Sequence, residues 1–558
     1  MDKVWLEEYQ QGVPPEININ EYDSIVSIFE QSCHAYAHQI AYVNFNTELS
    51  YEELDQQSRL FAIYLQQLGL AKGTRVALMM PNILQYPVAL FGVLRAGLVV
   101  VNTNPLYTPD EVIHQMNDSG AEVLVVLANF AQTIEKALPR LKSLKFIITT
   151  EIGDLFPFAK RIIVNAVVKY IKKMVPHYQL PQAISFNRAL ELGKNGELIK
   201  QYLNHEDIAF LQYTGGTTGI AKGAILTHGN MVANVLQASA WISPLKFGDQ
   251  DIIVTALPLY HIFSLSANCL SFLKAGAKNI LITNPRDIPK FIKEIKNSGF
   301  TAITGVNTLF NALLHNDEFR TIDFSRLKCA LAGGMALQKS VALRWKEVTQ
   351  CPVIEAYGLT ETSPAATINP MNLSDYNGSI GLPISSTIIS IRNDEEIEVP
   401  YNETGELCIK GPQVMRGYWQ RPEETSQVFT ADGFLKTGDI ARVDEKGFVY
   451  LVDRKKDMIV VSGFNVYPNE VEQVISMMPG VLEVGVVSID DQDSGERVKA
   501  CVVKRDQTLT PEQIIKHCRE HLTAYKIPKV IEFYTELPKT NVGKILRRAL
   551  KNTHGVLA

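Results

Sequence analysis

Tyr213-Thr214-Gly215-Gly216-Thr217-Thr218-Gly219-Ile220-Ala221-Lys222-Gly223 follows an apolar stretch, Ile208 to Leu211, that reads as a strand. Glycines let backbone N–H groups approach an anion closely, threonine hydroxyls add donors, and Lys222 adds a positive charge. Three threonines, three glycines and a lysine within ten residues make a phosphate cradle a better reading than a flexible turn. The spacing is not that of a Walker A loop, which needs Gly-x4-Gly-Lys-Ser/Thr. Here Lys222 is followed by Gly223, so no loop hydroxyl is placed to hold Mg2+ in the P-loop manner.

Outward from the loop, apolar strands alternate with helices. Strands are expected at Arg75–Met80, Val123–Leu127, Phe146–Thr149, Ile252–Leu257, Ile280–Thr283, Thr301–Val306 and Leu327–Ala332. Ser50-x-x-Glu53 is a capping box opening a helix towards Gly69. Thr108-Pro109-Asp110-Glu111 opens another, with proline in its first turn and acids at the positive dipole end. Ala89 to Val101 reads as a buried helix leading into a strand. This pattern predicts an α/β fold with sheets covered on both faces. After about residue 400 turn signals crowd together, as in Asn402-Glu403-Thr404-Gly405 and Ala431-Asp432-Gly433, and predict a β-rich subdomain. Beyond the charged run Asp453-Arg454-Lys455-Lys456-Asp457, an α+β pattern begins with a helix near Pro468. It continues through strands at Val484–Ile489 and Val498–Val503 to a helix after Pro511. The expected division is a large region over 1–453, its β-rich part at about 380–453, and a C-terminal α+β cap over 454–558.

The composition agrees. At about 150 residues per domain, 558 residues imply three to four units. Lys plus Arg is 54 and Asp plus Glu is 59, a net charge of −5 that speaks against a nucleic-acid partner. No run of about 18 apolar residues predicts a membrane span. The acidic N-terminus does not look like a signal peptide. Seven scattered cysteines without a Cys-x-x-Cys pair argue against a disulfide framework or zinc site and fit a reducing, cytoplasmic location. Cys33, His34 and His38 are read as ordinary side chains on a helical turn.

Further motifs now place the chain. Gly333-Gly334, Glu355-Ala356-Tyr357-Gly358-Leu359-Thr360-Glu361, Lys436-Thr437-Gly438-Asp439, Asp453 to Asp457 and Pro538 to Lys544 occur in that order. With the Tyr213–Gly223 loop, they resemble the adenylate-forming acyl-CoA synthetases, cousins of luciferases and peptide-synthetase adenylation domains. The stretches Asp432 to Lys456 and Val461 to Glu470 look most like bacterial long-chain fatty-acid–CoA ligases. The resemblance covers nearly the whole chain. It implies a large region plus a mobile cap, ATP and CoA as substrates, Mg2+ as cofactor, and an acyl-adenylate intermediate.

By resemblance, Tyr213, Thr214, Gly215, Gly216, Thr217, Thr218, Gly219 and Lys222 cradle phosphate. Tyr357 stacks on adenine, with Gly333 and Gly334 close on the other side. Glu355, Ala356 and Gly358 complete that motif. Thr360 donates to the α-phosphate. Glu361, a lone acid beside hydroxyls, suits Mg2+. Asp439 accepts the ribose hydroxyls, and Arg454 adds a guanidinium near ribose or phosphate. Lys544 is the implied catalytic lysine: a cation between a carboxylate and the α-phosphate relieves their repulsion and stabilises developing charge. Lys456 matches the hinge. Gly463, in Ser462-Gly463-Phe464, would line the thiol channel after the cap rotates.

Leu257 to Phe263 matches the mouth of the acyl pocket. Tyr260-His261 stands where amino-acid-activating relatives carry an aspartate, so an amino-acid substrate is disfavoured. His261 either gates the acyl or CoA channel or is a buried, satisfied histidine. Gly305, ahead of the apolar segment Val306–Leu314, is expected to leave room for an alkyl chain.

Phe158 to Val175 forms a basic amphipathic pattern. Phe158, Ile162, Ile163, Ala166, Val167, Tyr170, Ile171 and Met174 share one face, and Lys160, Arg161, Asn165, Lys169, Lys172 and Lys173 fill the other. It reads either as a surface for an anionic membrane, putting the enzyme on its cytoplasmic face, or as a helix packed on the core. The expected activity is ATP-dependent conversion of a fatty acid to acyl-CoA. Alternatives are a related ligase for an aryl or medium-chain acid, acyl transfer to a carrier protein, and a catalytically silent nucleotide- or lipid-binding protein. A homodimer is a further expectation.

Overall fold

A computed structural model describes residues 3–214, 221–491, 495–540 and 543–551. Among these, two large sheets form the body. The seven-stranded sheet runs in the order 184–185, 146–150, 123–127, 75–79, 99–102, 208–214 and 222–227. Only its last pair is antiparallel. Its strands are apolar on both faces because both are covered: every residue of Val123–Leu127 is buried. The helix Gln85–Arg95 is buried all round and leads to the strand Val99–Asn102, as expected. Arg95 is tolerated in this core because Glu30 and Asp55 pair with it at 3.2 and 2.9 Å. The capping boxes form at Ser50/Glu53 and Thr108/Glu111, each worth about 1 kcal/mol.

The nine-stranded sheet has a parallel centre. There the strands Ala302–Gly305, Cys329–Ala332 and Val353–Gly358 lie side by side in register. Their carboxyl ends therefore face the same way, the place where open α/β sheets bind ligands. The sequence expected a strand at Ile280–Thr283; it spans Lys278–Leu281. The β-rich part is a four-stranded antiparallel sheet of Ile388–Arg392, Gly405–Lys410, Leu435–Val443 and Val449–Arg454.

The C-terminal sheet is built on the long hairpin Val481–Asp491 and Gly495–Lys504. Helices Pro468–Ser476 and Pro511–His521 pack beside it. The short strands Ile459–Val461 and Phe464–Val466 are additions that the sequence reading did not separate. All seven cysteines are free and buried. No described helix is long and apolar enough to cross a membrane.

The 158–175 segment departs from expectation. It is α-helical only over Phe158–Ala166, then makes a π-helical turn over Val167–Ile171. Its anchoring stripe is Lys160, Val164, Asn165 and Val168, with Lys160 Nζ donating to the Phe45 carbonyl at 2.6 Å. Asn165, expected on the polar face, accepts from the Gly153 N–H at 2.8 Å and donates to Asp154 at 3.2 Å. That stripe turns Phe158, Ile162, Ile163, Tyr170, Ile171 and Met174 outward; Phe158 is 70% exposed and Ile171 71%.

Candidate active site

A cavity of about 1570 Å³ opens where the carboxyl ends of the parallel strands meet the four-stranded sheet and the C-terminal unit. It gathers residues more than three hundred positions apart in sequence, among them Tyr213 and Lys544. The strand Val353–Gly358 delivers Glu355, Ala356, Tyr357 and Gly358, and the turn behind it delivers Thr360 and Glu361. A side chain at Gly358 would collide with the Pro364 carbonyl, so only glycine permits this return of the chain.

Asp439 and Arg454 are directly opposite in register on neighbouring strands. Asp439 is 2% exposed. Its Oδ2 accepts from the Tyr357 hydroxyl at 2.6 Å, and its Oδ1 pairs with Arg454 Nε at 3.2 Å. The Tyr357 ring is thereby tied to the acid, and burial followed by the Asp439 charge raises its phenol well above the ordinary range.

Lys544 reaches the cavity from the C-terminal unit. Its turn closes through Thr540 N–H donating to Lys544 O at 2.7 Å and Lys544 N–H donating to Thr540 Oγ1 at 3.0 Å. Near Lys544 the unit meets the body through Thr308 Oγ1 donating to Gly543 O at 3.0 Å and Asn311 Nδ2 donating to Leu482 O at 3.1 Å. Gly334, whose φ of +79 favours glycine, lies beside this lysine: a β-carbon there would stand in ordinary contact with Lys544 Cε at 3.4 Å. A β-carbon on Gly333 would crowd the Phe263 ring at 3.1 Å.

Burial pushes the Lys544 amine down to about 8, Arg454 adds to the shift, and Asp439 and Glu361 oppose it. Burial, then Lys544, pushes the His261 imidazole down to about 3. His261 is thus neutral and leaves Lys544 as the cation on that side. Burial raises Glu355 to about 8 although it accepts from the Leu337 N–H. Burial, then Arg454, lowers the Lys456 amine.

Of the residues singled out in sequence, Tyr213, Thr214, His261, Gly333, Gly334, Glu355, Ala356, Tyr357, Gly358, Thr360, Glu361, Asp439, Arg454, Lys456 and Lys544 line this cavity. Gly215, Gly216, Thr217, Thr218 and Gly219 lie outside the described residues. Lys222 does not line the cavity; its amine sits 5.3 Å over the Tyr418 ring. Gly305 does not line it either, because the Phe310 ring fills the space beside it, 2.9 Å from where a β-carbon would stand. Gly463, at φ +84, is also apart from the lining and has open space around it.

Sequence reasoning missed three features. Tyr418 donates to Glu361 Oε1 at 2.7 Å. Asp118 accepts from the Tyr213 hydroxyl at 2.7 Å and is itself paired with Arg421, bracing the start of the loop. The string Arg416-Gly417-Tyr418-Trp419, aromatic and close behind a turn, was the available signal for this bracing. The third is an apolar arm of the cavity, lined by Ala238, Ile242, Phe272, Leu331, Ile368 and Met371. Its residues come from four separate segments, so no local pattern announces it. In the lining itself, Arg547 pairs with Asp453, Asp457 and Glu472, tying the chain after Lys544 to the run at 453–457.

The family model described as AMP-binding enzyme matches residues 29–419, and the AMP-binding enzyme C-terminal domain model matches 470–544. A long-chain-fatty-acid–CoA ligase of Escherichia coli O6:H1 is 56% identical over 99% of this chain and 98% of its own. One from Bacillus subtilis is 37% identical over 98% and 97%. The crystal structure of the anthranilate CoA ligase AuaEII with anthranoyl-AMP aligns at a TM-score of 0.85 and 25% identity, covering 97% of this chain and 99% of that one.

Proposed function

The chain belongs to the AMP-binding enzyme family, and from that footing we propose how its residues divide the work. The enzyme activates a fatty acid to acyl-CoA through an acyl-adenylate, as an AMP-forming long-chain-fatty-acid–CoA ligase. The carboxylate attacks the α-phosphorus of ATP and pyrophosphate leaves; the CoA thiol then attacks the acyl carbon and AMP leaves.

In the first step adenine lies between the Tyr357 ring and the Gly333-Gly334 backbone. Asp439 accepts both ribose hydroxyls while Tyr357 and Arg454 hold it in place. Lys544 lies between the two reacting anions. Thr360, Tyr213 and Thr214 donate to phosphate, with Gly215–Gly219 and Lys222 completing the cradle. Glu361 suits Mg2+: it is a hard oxygen donor at the phosphate end, fixed through Oε1 by Tyr418. When bound, Mg2+ would offset charge on the departing pyrophosphate. The observation that carries this reading is Lys544 entering the cavity against Gly334, within electrostatic reach of Asp439 and Glu361.

The second step needs another arrangement, since Gly463 stands outside the cavity. Rotation of a cap, 454–558, about Lys456 would withdraw Lys544 and bring Ser462-Gly463-Phe464 to the thiol path. His261, neutral and at the pocket mouth, gates the acyl entrance. The apolar arm receives the alkyl chain, at about 0.8 kcal/mol per buried CH2, and favours an alkyl over an aryl acid. Ala238→Trp should therefore lower kcat/KM for a sixteen-carbon acid at least tenfold and leave a six-carbon acid near wild type. Equal losses for both acids would remove the chain from this arm. Acyl-CoA formation measured across acids of graded length tests the activity itself; no CoA-dependent AMP release with any of them would overturn it.

We further propose that the outward apolar side chains of 158–174 rest on an anionic membrane surface. Lys169, Lys172 and Lys173 supply the charge complementarity. Wild type should sediment with vesicles containing anionic lipid in a salt-sensitive manner, and neutralising the three lysines should weaken this. Unchanged sedimentation would refute the contact.

A further inference from the structure

The last two turns of the helix Pro511–His521 carry His517, Glu520 and His521. None of the three lines the substrate cavity. His517 and His521 are one helical turn apart, so their rings share a face, with centroids 4.6 Å apart. The donor atoms available from the two imidazoles and the Glu520 carboxylate all lie within 4.8 Å of one another. Among the described residues, this is the one grouping of three such side chains at that spacing.

Two features turn a neighbourhood into a ligand set. First, His517 Nε2 lies 3.1 Å from the Val474 carbonyl oxygen, on the adjacent helix. A carbonyl can only accept, so Nε2 carries the proton and Nδ1 carries the lone pair. This is how ligating histidines are usually oriented: the far nitrogen donates to a carbonyl and fixes the tautomer. Second, the group sits at the carboxyl end of an eleven-residue helix, where the dipole favours a cation.

We infer that His517, Glu520 and His521 form a surface site for a borderline divalent transition-metal ion of the Zn2+, Co2+ or Ni2+ kind. Two imidazoles and one carboxylate match the preferences of these ions and not those of Mg2+ or Ca2+, which take oxygen. Zn2+ bonds nitrogen at about 2.0–2.1 Å, so the donors must draw together by up to roughly 1.5 Å, within reach of side-chain rotation at an exposed turn. Three protein donors leave at least one position to water, making the site exchangeable. The ion would bind the last two turns of this helix and, through His517, brace them against Pro468–Ser476. It is separate from the Mg2+ role given to Glu361.

Zn2+ alone, titrated into untagged protein and followed by calorimetry, is the test, with His521→Ala and Glu520→Gln as variants. Both residues are exposed, so neither change threatens folding. Wild type should take up one more Zn2+ per chain than His521→Ala, and Glu520→Gln should bind that ion at least threefold more weakly. On hydrogen exchange, Zn2+ should slow the amides of residues 517–522 in wild type only. Equal uptake by wild type and His521→Ala, or equal protection in both, would overturn the site.

Discussion

Lys544→Ala is expected to slow acyl-adenylate formation by about 10²–10³-fold, the usual cost of losing a preorganised charge at the reacting centre. Thioester formation from supplied acyl-adenylate and CoA should stay near the wild-type rate, because no repulsion between two anions remains to be relieved. The pH dependence carries the same signature. Burial and Arg454 hold the amine at about 8, against an ordinary 10.5. A lysine is charged below its pKa, so kcat/KM for ATP in the first half-reaction should fall as pH rises through about 8. Lys544→Arg keeps its charge well above pH 12, and should lose this alkaline limb even if its rate is lower. Equal loss of both half-reactions in Lys544→Ala, or an unchanged limb in Lys544→Arg, would contradict the role given to the amine.

The second large effect is at Asp439. A hydrogen bond to a charged group contributes about 1.5–3 kcal/mol, so losing two ribose contacts in Asp439→Ala should cut kcat/KM for ATP by at least about 10²-fold. The finer sign is in discrimination. Wild type should strongly prefer ATP to 2′-deoxy-ATP, whereas Asp439→Ala should treat them alike. Discrimination that survives the change would place the ribose elsewhere. Asp439→Asn, which keeps the shape around the Tyr357 hydroxyl, separates this effect from damage to the fold.

The parallel core and the caps were legible because they rest on local signals. Strand Val123–Leu127 announces itself by five apolar residues, and Thr108-Pro109-Asp110-Glu111 by its capping chemistry. The motifs that line the cavity were legible because each is short and contiguous. What sequence could not supply was their joining. Tyr357 and Asp439 are 82 residues apart, yet share a 2.6 Å bond. Asp118 braces Tyr213 across 95 residues. The apolar part of the cavity lining is assembled from residues that look like ordinary core, and the space expected beside Gly305 is filled by the Phe310 ring. At 158–175 the sequence suggested one continuous helical period, whereas the α-helix ends at Ala166 and a π-helical turn follows. The anchor includes Lys160, Val164, Asn165 and Val168, and a lysine or an asparagine is hard to recognise as an anchor from its type alone.

The central claim is that the fatty acid is activated as an adenylate before CoA takes part. Exchange of labelled pyrophosphate into ATP tests it most directly, because the exchange reports reversal of the first step alone. With Mg2+, ATP and a long-chain fatty acid, the purified enzyme should exchange label without CoA, and no label should move when the fatty acid is omitted. Exchange that is absent, or that appears only when CoA is added, would contradict an adenylate formed ahead of the thiol.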